Sequence, residues 1–373
     1  MLSIPYDIDP GGDIELVLNK PNNQKIVPAL YFTQDVTDPD NTEFDDLELN
    51  NPPCAGRYSA FKELYPAGKT IVPPVDSEVR MSVSSRHLIL ASRAFKAMLE
   101  GPWSEATSSS QSVRQINASD WDAMAFAIVL DIIHGRHRGI PEDMTLGLVA
   151  RIATIVDYYG FHEALYVYRK RWLSENAKVK ASTDKLCDAS LLCLYAAWVF
   201  SDKDIISSMA RLTLLYSEGL AQTNTFDLPI GGILDNIEGQ RQHLITESLH
   251  LLDDLQDQLL KETSCPMEQE AQCTTLTLGV LMRIRHGITS LSIPLEHPYD
   301  GYSLNSVLHT ITDIEKPMAL HSKSIKFRTS KWTKASRPCS IGGRLAERIE
   351  SIQSEIWSFC MSSTLEKTPT EEK

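Results

Sequence analysis

The chain has 373 residues, 42% of them hydrophobic and 23% charged, a balance that belongs to folded proteins and excludes the disordered and collagen-like classes. Its length suggests two domains. With 36 basic against 49 acidic residues the formal net charge is −13, which repels a phosphate backbone unless a local basic face overrides it. The opening MLSIPYDIDPGGD carries no positive charge, and the most apolar run, Ala189 to Phe200, is shorter than the roughly 18 residues that a membrane span needs. The expected location is therefore inside the cell, cytoplasmic or nuclear. Seven Cys in such a chain predict reduced thiols and not a disulfide framework.

The first predicted element follows an Asp-Pro-Gly-Gly turn, where Ile14, Leu16 and Leu18 alternate with Glu15 and Val17 as in a short strand. Residues 35–48 then hold seven acidic side chains and no basic ones, and Pro-Pro pairs follow at 52–53 and 73–74. This reads as a solvated insertion over about 22–76. A calcium loop is excluded as the better reading, because the glycine at its sixth position and the closing Glu are missing. Val79, Met81 and Val83 alternate again, and Ser84 stands where it can cap a helix with Leu88, Ala91, Phe95 and Met98 on its apolar face. A Ser-rich loop leads to a weak strand at 113–116. Ser119 and Asp122 then resemble a capping box before a helix through Met124, Ile128 and Ile132 that ends at His134-Gly135. Leu146, Val149, Ile152 and Val156 predict one further amphipathic helix, and Leu165, Tyr168 and Trp172 another.

From about Asp184 the periodicity is helical, with helices expected at 186–200, 203–218, 237–262, 274–291, 303–314 and 342–361. The stripe Leu244, Ile245, Leu249, Leu252, Leu255 and Leu259 in the longest of them is too short for a sustained coiled coil and is expected to pack internally. The fold class read from these elements is α+β: an N-terminal unit at 1–176 with a small sheet, an all-α unit at 184–362 and a disordered tail at 363–373.

The order from Glu78 to about Asn176 carries a resemblance. VRMSVSSRHLILASRAFKAML, GPWSEA, INASDWDAMAFAIVLDIIHGR and IPEDMTLGLVARIATIVDYYGFHEALYVYRKRWL together resemble a BTB/POZ domain of the divergent kind common in fungi, with Asp157-Tyr158-Tyr159 and Trp172 where that family places an Asp-x-Tyr and a tryptophan. GGDIELVL looks like its opening strand, displaced by the acidic insertion. Where many members place a His at the start of the first long helix, Arg86 stands here, with His87 beside it. The helical half, with CTTLTLGVLMRI at 273–284, is similar to the regions that follow such domains. The resemblance implies a non-enzymatic scaffold for homodimers or other protein partners, in some cases an adaptor for a cullin-type ubiquitin ligase. In such adaptors a hydrophobic-x-Glu triplet contacts the cullin, and Trp103-Ser104-Glu105 fits it. The plainer reading has Trp103 covering the core edge and Glu105 solvated.

No nucleophile elbow, P-loop, HExxH or dinucleotide fingerprint occurs, so no catalysis, cofactor or small-molecule substrate is expected. The HGRHRG stretch at 134–139 reads as a solvated turn in preference to a phosphate clamp. No C-x₂-C spacing occurs, and Cys187 and Cys193 read as buried apolar residues, with no metal expected. The most basic segment, 323–337, interleaves six cations with Phe327 and Trp332. Its Lys326, Arg328, Lys331 and Trp332 suit contact with an acidic protein surface, or alternatively nucleic acid in a nuclear regulator. The net charge favours the protein contact.

Overall fold

The computed structural model describes residues 2–30, 55–65, 77–101, 114–181, 186–265, 271–289, 291, 294–312 and 340–365. The alternating segments form a four-stranded mixed sheet of β1 (Leu2–Asp7), β2 (Ile14–Asn19), β3 (Ser77–Val83) and β4 (Arg114–Ser119) in the order β1-β3-β2-β4. β3 runs parallel to β1 and antiparallel to β2, and β2 runs parallel to β4. The register places Ile4, Val79, Leu18 and Ala118 in one row and Tyr6, Met81, Leu16 and Ile116 in the next, so these apolar residues share one face, while Val17 and Glu78 are buried on the other. β1 is not legible from LSIPYD as a central strand, because Pro5 has no N–H to donate. An edge position removes that objection. The close packing of the Gly12 turn against β3 excludes any side chain, since a Cβ there would lie 2.6 Å from the Val83 carbonyl oxygen.

The helix expected to run on from Ser84 is two helices, α1 (Ser85–Ala91) and α2 (Arg93–Glu100). Ser92 divides them in an extended conformation. Its hydroxyl accepts from the Phe95 amide at 3.1 Å and donates to the Tyr159 carbonyl at 2.6 Å, so a buried serine both caps α2 and ties it to a distant helix end. Helical spacing alone cannot reveal such a break, because Leu88 and Phe95 are core residues in both pieces.

α3 (Ala123–Ile133) begins one residue after Asp122, which is itself the cap, its Oδ1 accepting from the Ala125 amide at 2.8 Å. The expected capping box thus starts three residues too early, and Ser119 belongs to β4. α4 (Leu146–Tyr159) and α6 (Asp188–Val199) are buried on almost every side. The amphipathic reading of α4 therefore fails, because α3, α5 (Tyr166–Ala181) and α6 all pack on it. α6 also packs on α5 and α7 (Lys203–Tyr216). The long α8 (Gly231–Lys261) starts earlier than its leucine stripe suggests and packs on α7, α9 (Ala271–Thr289), α10 (Leu304–Thr312) and α11 (Ile341–Cys360). Leu244, Ile245, Leu252, Leu255 and Leu259 are buried there, which is the internal packing expected of them.

The chain is therefore mixed α/β and mainly helical, with one continuous cluster of buried apolar side chains running from Ile4 to Leu365. Two parts of the expected insertion are structured. Residues 22–30 cross to the helical half, where Ala29 and Asn224 exchange backbone hydrogen bonds and the Lys25 amide donates to Asp227. Residues 56–64 form a 3₁₀ segment whose Tyr58, Phe61 and Leu64 lie in the core. The solvated reading fails there because apolar residues spaced by three share one face of a 3₁₀ helix. Leu365, expected in the tail, is also buried. The acidic run at 35–48 lies outside the described residues.

Candidate functional site

The N-terminus of α3 is inside the protein, and water does not satisfy its first amides. Three side chains from three segments do so: Ala123 N–H donates to Asn22 Oδ1 at 2.8 Å, Met124 N–H to the Tyr65 hydroxyl at 3.2 Å and Ala125 N–H to Asp122. Arg151 of α4 stands 3.6 Å from the other oxygen of Asp122. Asn22 and Tyr65 both come from the insertion, so the segment that looked like a solvated excursion completes a helix cap.

Two turns further along α3, Asp131 is fully buried. One of its oxygens accepts from the Tyr6 hydroxyl at 2.9 Å and the Tyr58 hydroxyl at 3.1 Å, and the other forms an ion pair with Arg57 Nη1 at 3.1 Å. Arg57 also donates to the Asp7 carbonyl at 2.9 Å, and its guanidinium lies 4.6 Å from the centre of the Tyr6 ring. Its stem passes so close to Gly139 that a Cβ there would meet Arg57 Cδ at 3.3 Å. Burial pushes the Asp131 carboxyl above the ordinary carboxylate range, against the opposing bonds from Tyr6 and Arg57. The same burial, and the neighbouring carboxylate, hold both tyrosine hydroxyls protonated far above their ordinary range.

At the start of α1, Ser84 occupies the cap position without a side-chain capping bond. Asp13 replaces it, accepting from the Ser85 amide at 2.7 Å and the Ser85 hydroxyl at 2.6 Å. The Ser84 amide donates to His134 Nε2 at 3.0 Å, while His134 Nδ1 lies 2.7 Å from the Leu130 carbonyl. This pattern requires a neutral imidazole with its proton on Nδ1. Burial lowers the His134 pKa to suit. His134 is thus a structural cap in the stretch read as a plain turn, and Arg136, His137 and Arg138 remain exposed.

In the helical half, Arg241 of α8 is fully buried and forms a two-point pair with Glu238, at 2.9 and 2.6 Å. Its remaining donors reach the carbonyls of Pro298, Tyr299 and Tyr302 at 2.8, 3.1 and 2.7 Å. Although burial alone would raise it, the Arg241 and Leu220 bonds hold the Glu238 carboxyl below its ordinary value. Each of these buried groups faces partners within the fold, and none of them lines the open cleft described next. Among the described residues no group of three His, Cys, Asp or Glu side chains is placed to hold a metal.

The surface offers more. A shallow polar cleft of about 440 Å³ is lined by Asn23, Gln24, Ser119, Asp120, Trp121 and Asp227. At its rim Trp121 meets Tyr158 edge to face, with ring centres 5.2 Å apart. Leu90 on α1 is 87% exposed, Val167 on α5 82%, and Tyr158, Tyr166 and Trp357 are more exposed than buried. Trp and Tyr at such positions are the side chains that dominate protein interfaces. The expected contact residues Trp103, Glu105, Lys326, Arg328, Lys331 and Trp332 all lie outside the described residues. On either side of them in the chain, Arg114 of β4 donates to the Leu99 carbonyl of α2 at 3.2 Å.

No protein-family model, curated protein or solved structure matches this chain. Asp131 carried a readable signal: it is a lone charge inside AMAFAIVLDII, and a charge on an otherwise buried helix requires a partner. Arg241 carried a different signal, an i,i+3 partner in Glu238 on the apolar face of α8 between Ile237 and Leu244.

Proposed function

We propose that this chain is a non-enzymatic protein–protein interaction scaffold whose first half is a BTB/POZ-like module and whose helical half supports it or recruits a further partner. The observation that carries this reading is the order of elements. β3 runs directly into the helix pair α1 and α2, β4 and α3 follow, and α4 and α5 close the unit, the same order on which the sequence resemblance rests. The exposed Leu90, Tyr158 and Val167 give such a module apolar contact surface. A stable dimer or adaptor contact buries roughly 1,600 Å² in total, more than any one of these residues supplies, so several must act together.

The adaptor form of the proposal is tested by affinity capture with the intact chain and with the Trp103→Ala, Glu105→Ala double variant, both checked for folding. Recovery of a cullin by the intact chain and its loss from the folded variant is the expected result. Absence of a cullin from both removes the adaptor form and leaves a scaffold whose partners the same capture identifies. Salt-sensitive nucleic-acid binding that vanishes when the lysines of 323–337 are neutralised would instead favour a nuclear regulator.

A further inference from the structure

The open cleft carries charges that the fold does not use. Its lining holds two carboxylates, Asp120 and Asp227, and no cation. Each carboxylate engages one oxygen inside the fold. Asp120 Oδ1 accepts from the Asn23 side-chain amide at 2.9 Å, and Asp227 Oδ2 accepts from the Lys25 amide at 2.8 Å. Among the described residues the second oxygen of each has no hydrogen bond, and neither carboxylate forms an ion pair. An asparagine would supply the same acceptor at both positions, and at Asp120, whose φ is 70°, it tolerates the left-handed backbone as Asp does. The fold therefore needs an acceptor at each position and does not need the charge. Both charges are nevertheless fixed in advance. The Asp120 carbonyl accepts the amides of Asn23 and Gln24 at 3.2 and 3.1 Å, and the Asp227 amide returns to the Lys25 carbonyl at 2.8 Å. Beside them stands the Trp121 indole, whose N–H donates to the Tyr159 hydroxyl at 3.3 Å and whose ring meets that of the exposed Tyr158. An aromatic pair and fixed negative charge on one cavity together select a cation.

We propose that this cleft binds an arginine side chain presented by a basic segment of a partner protein. A guanidinium answers every feature of the site. It is planar and stacks on an indole, its fork of donors suits two carboxylates facing one cavity, and it is more weakly hydrated than an ammonium. A lysine meets the charge but not the plane. The volume of about 440 Å³ lies at the lower end of ligand sites, and so shallow a cleft takes one side chain from a backbone that stays outside. Charge complementarity extends beyond the cleft, because a chain with a formal net charge of −13 draws basic segments toward it. The site stands on this chemistry and holds whether or not the chain is a BTB-like scaffold.

The test follows the indole N–H signal of Trp121 by NMR in the intact chain, one of six Trp, assigned with Trp121→Phe. The probe is a blocked five-residue peptide of Gly and Ser around one Arg, compared with the same peptide carrying lysine or citrulline. A saturable shift with the arginine peptide is expected. Binding should be at least threefold weaker with lysine and at least tenfold weaker with citrulline, which keeps the shape and loses the charge. The Asp120→Asn, Asp227→Asn double variant keeps both internal acceptors and the fold, and is expected to bind the arginine peptide at least tenfold more weakly. No shift at millimolar peptide, equal shifts with arginine and citrulline, or full binding by the folded double variant each overturns the proposal. A Trp121 signal that moves in the peptide-free chain when Lys326, Arg328 and Lys331 are neutralised overturns the partner as the source and gives the cleft to this chain's own basic segment.

Discussion

The two buried charge clusters, one in each half of the chain, are built in opposite ways. Around Asp131 the rigid element α3 supplies the carboxylate, and the incoming segment supplies Arg57 and Tyr58. Around Arg241 the rigid element α8 supplies the guanidinium, and the incoming loop supplies only the carbonyl oxygens of Pro298, Tyr299 and Tyr302. A clamp that reads carbonyls is indifferent to the side chains it holds and fixes a backbone path. A carboxylate that reads a guanidinium and a phenol of the incoming segment is selective for sequence. Exposure differs as well: Arg241 has no contact with solvent, whereas the Arg57 side chain is 25% exposed.

The sharpest way to break this comparison is to remove Arg241. Arg241→Ala leaves Glu238 charged and buried and orphans three carbonyls, so a loss of about 3–5 kcal/mol is expected in denaturant unfolding. The Glu238→Ala, Arg241→Ala double variant is expected to lose less than the sum of the single losses, because the stranded charge goes with its partner. A double variant that is simply additive would mean that Glu238 and Arg241 are not a pair.

Removing the Asp131 carboxyl is the next largest change. Asp131→Ala orphans two buried hydroxyls and is expected to lose about 2–3 kcal/mol. Asp131→Asn keeps an acceptor for both hydroxyls and, because Arg57 can turn to water, is expected to lose only about 1 kcal/mol. Equal losses in the two variants would place the energy in the ion pair and not in the phenols. The selective reading of this cluster would then rest on Arg57 alone.

The His134 cap differs from both clusters because it is switched by acid. Its pKa in the folded chain is lowered, so the folded state binds fewer protons than the unfolded one as the pH falls. The stability that the neutral ring supplies is fully present above the unfolded value of about 6.5 and is lost as the pH drops below it. Protonation removes the acceptor of the Ser84 amide. His87, Asp9 and Arg136 bear electrostatically on the ring, so the comparison must be made against His134→Gln, which keeps an acceptor and does not titrate. The difference in unfolding midpoint between wild type and His134→Gln is expected to move against the wild type from pH 7.5 to pH 5.5. A difference independent of pH would show that the ring takes up its proton equally well in the folded and unfolded chains, and that the neutral form has no special place in the fold.

These contrasts also mark what was legible in the sequence. Elements with a single dominant period were readable: β2 and β3 by alternation, and α8 by its leucine stripe. What stayed hidden were features decided by a distant partner. Ser92 divides a helix because its hydroxyl reaches Tyr159, and α4 is buried all round because α3, α5 and α6 converge on it. Ser84 yields its capping role to Asp13, which lies beyond the whole insertion. The insertion itself misled through composition. Its acidic run dominates the count of charges, while the Tyr58, Phe61 and Leu64 spacing that brings it into the core occupies only a few positions. A lone charge inside an apolar helix was a long-range signal that the sequence analysis did not use, and it stands at Asp131.

The smallest expected effect on stability belongs to the surface, and it sharpens the comparison between residues that hold the fold and residues that meet partners. Leu90 is 87% exposed at the end of α1, so Leu90→Glu removes almost no buried area and should change unfolding free energy by no more than about 0.5 kcal/mol. Its effect on association should be much larger. A charge placed in the apolar centre of a contact is desolvated without a partner, and truncations at such centres commonly weaken binding by about 2 kcal/mol or more, some 30-fold. Size and mass in solution, measured beside partner capture for wild type and Leu90→Glu, separate the two effects. Unchanged stability with weakened self-association or capture places Leu90 in a contact surface. Unchanged stability with unchanged association assigns it to ordinary solvent exposure and moves the search to Val167, Tyr158 and the Trp121 rim, where the same substitution logic applies.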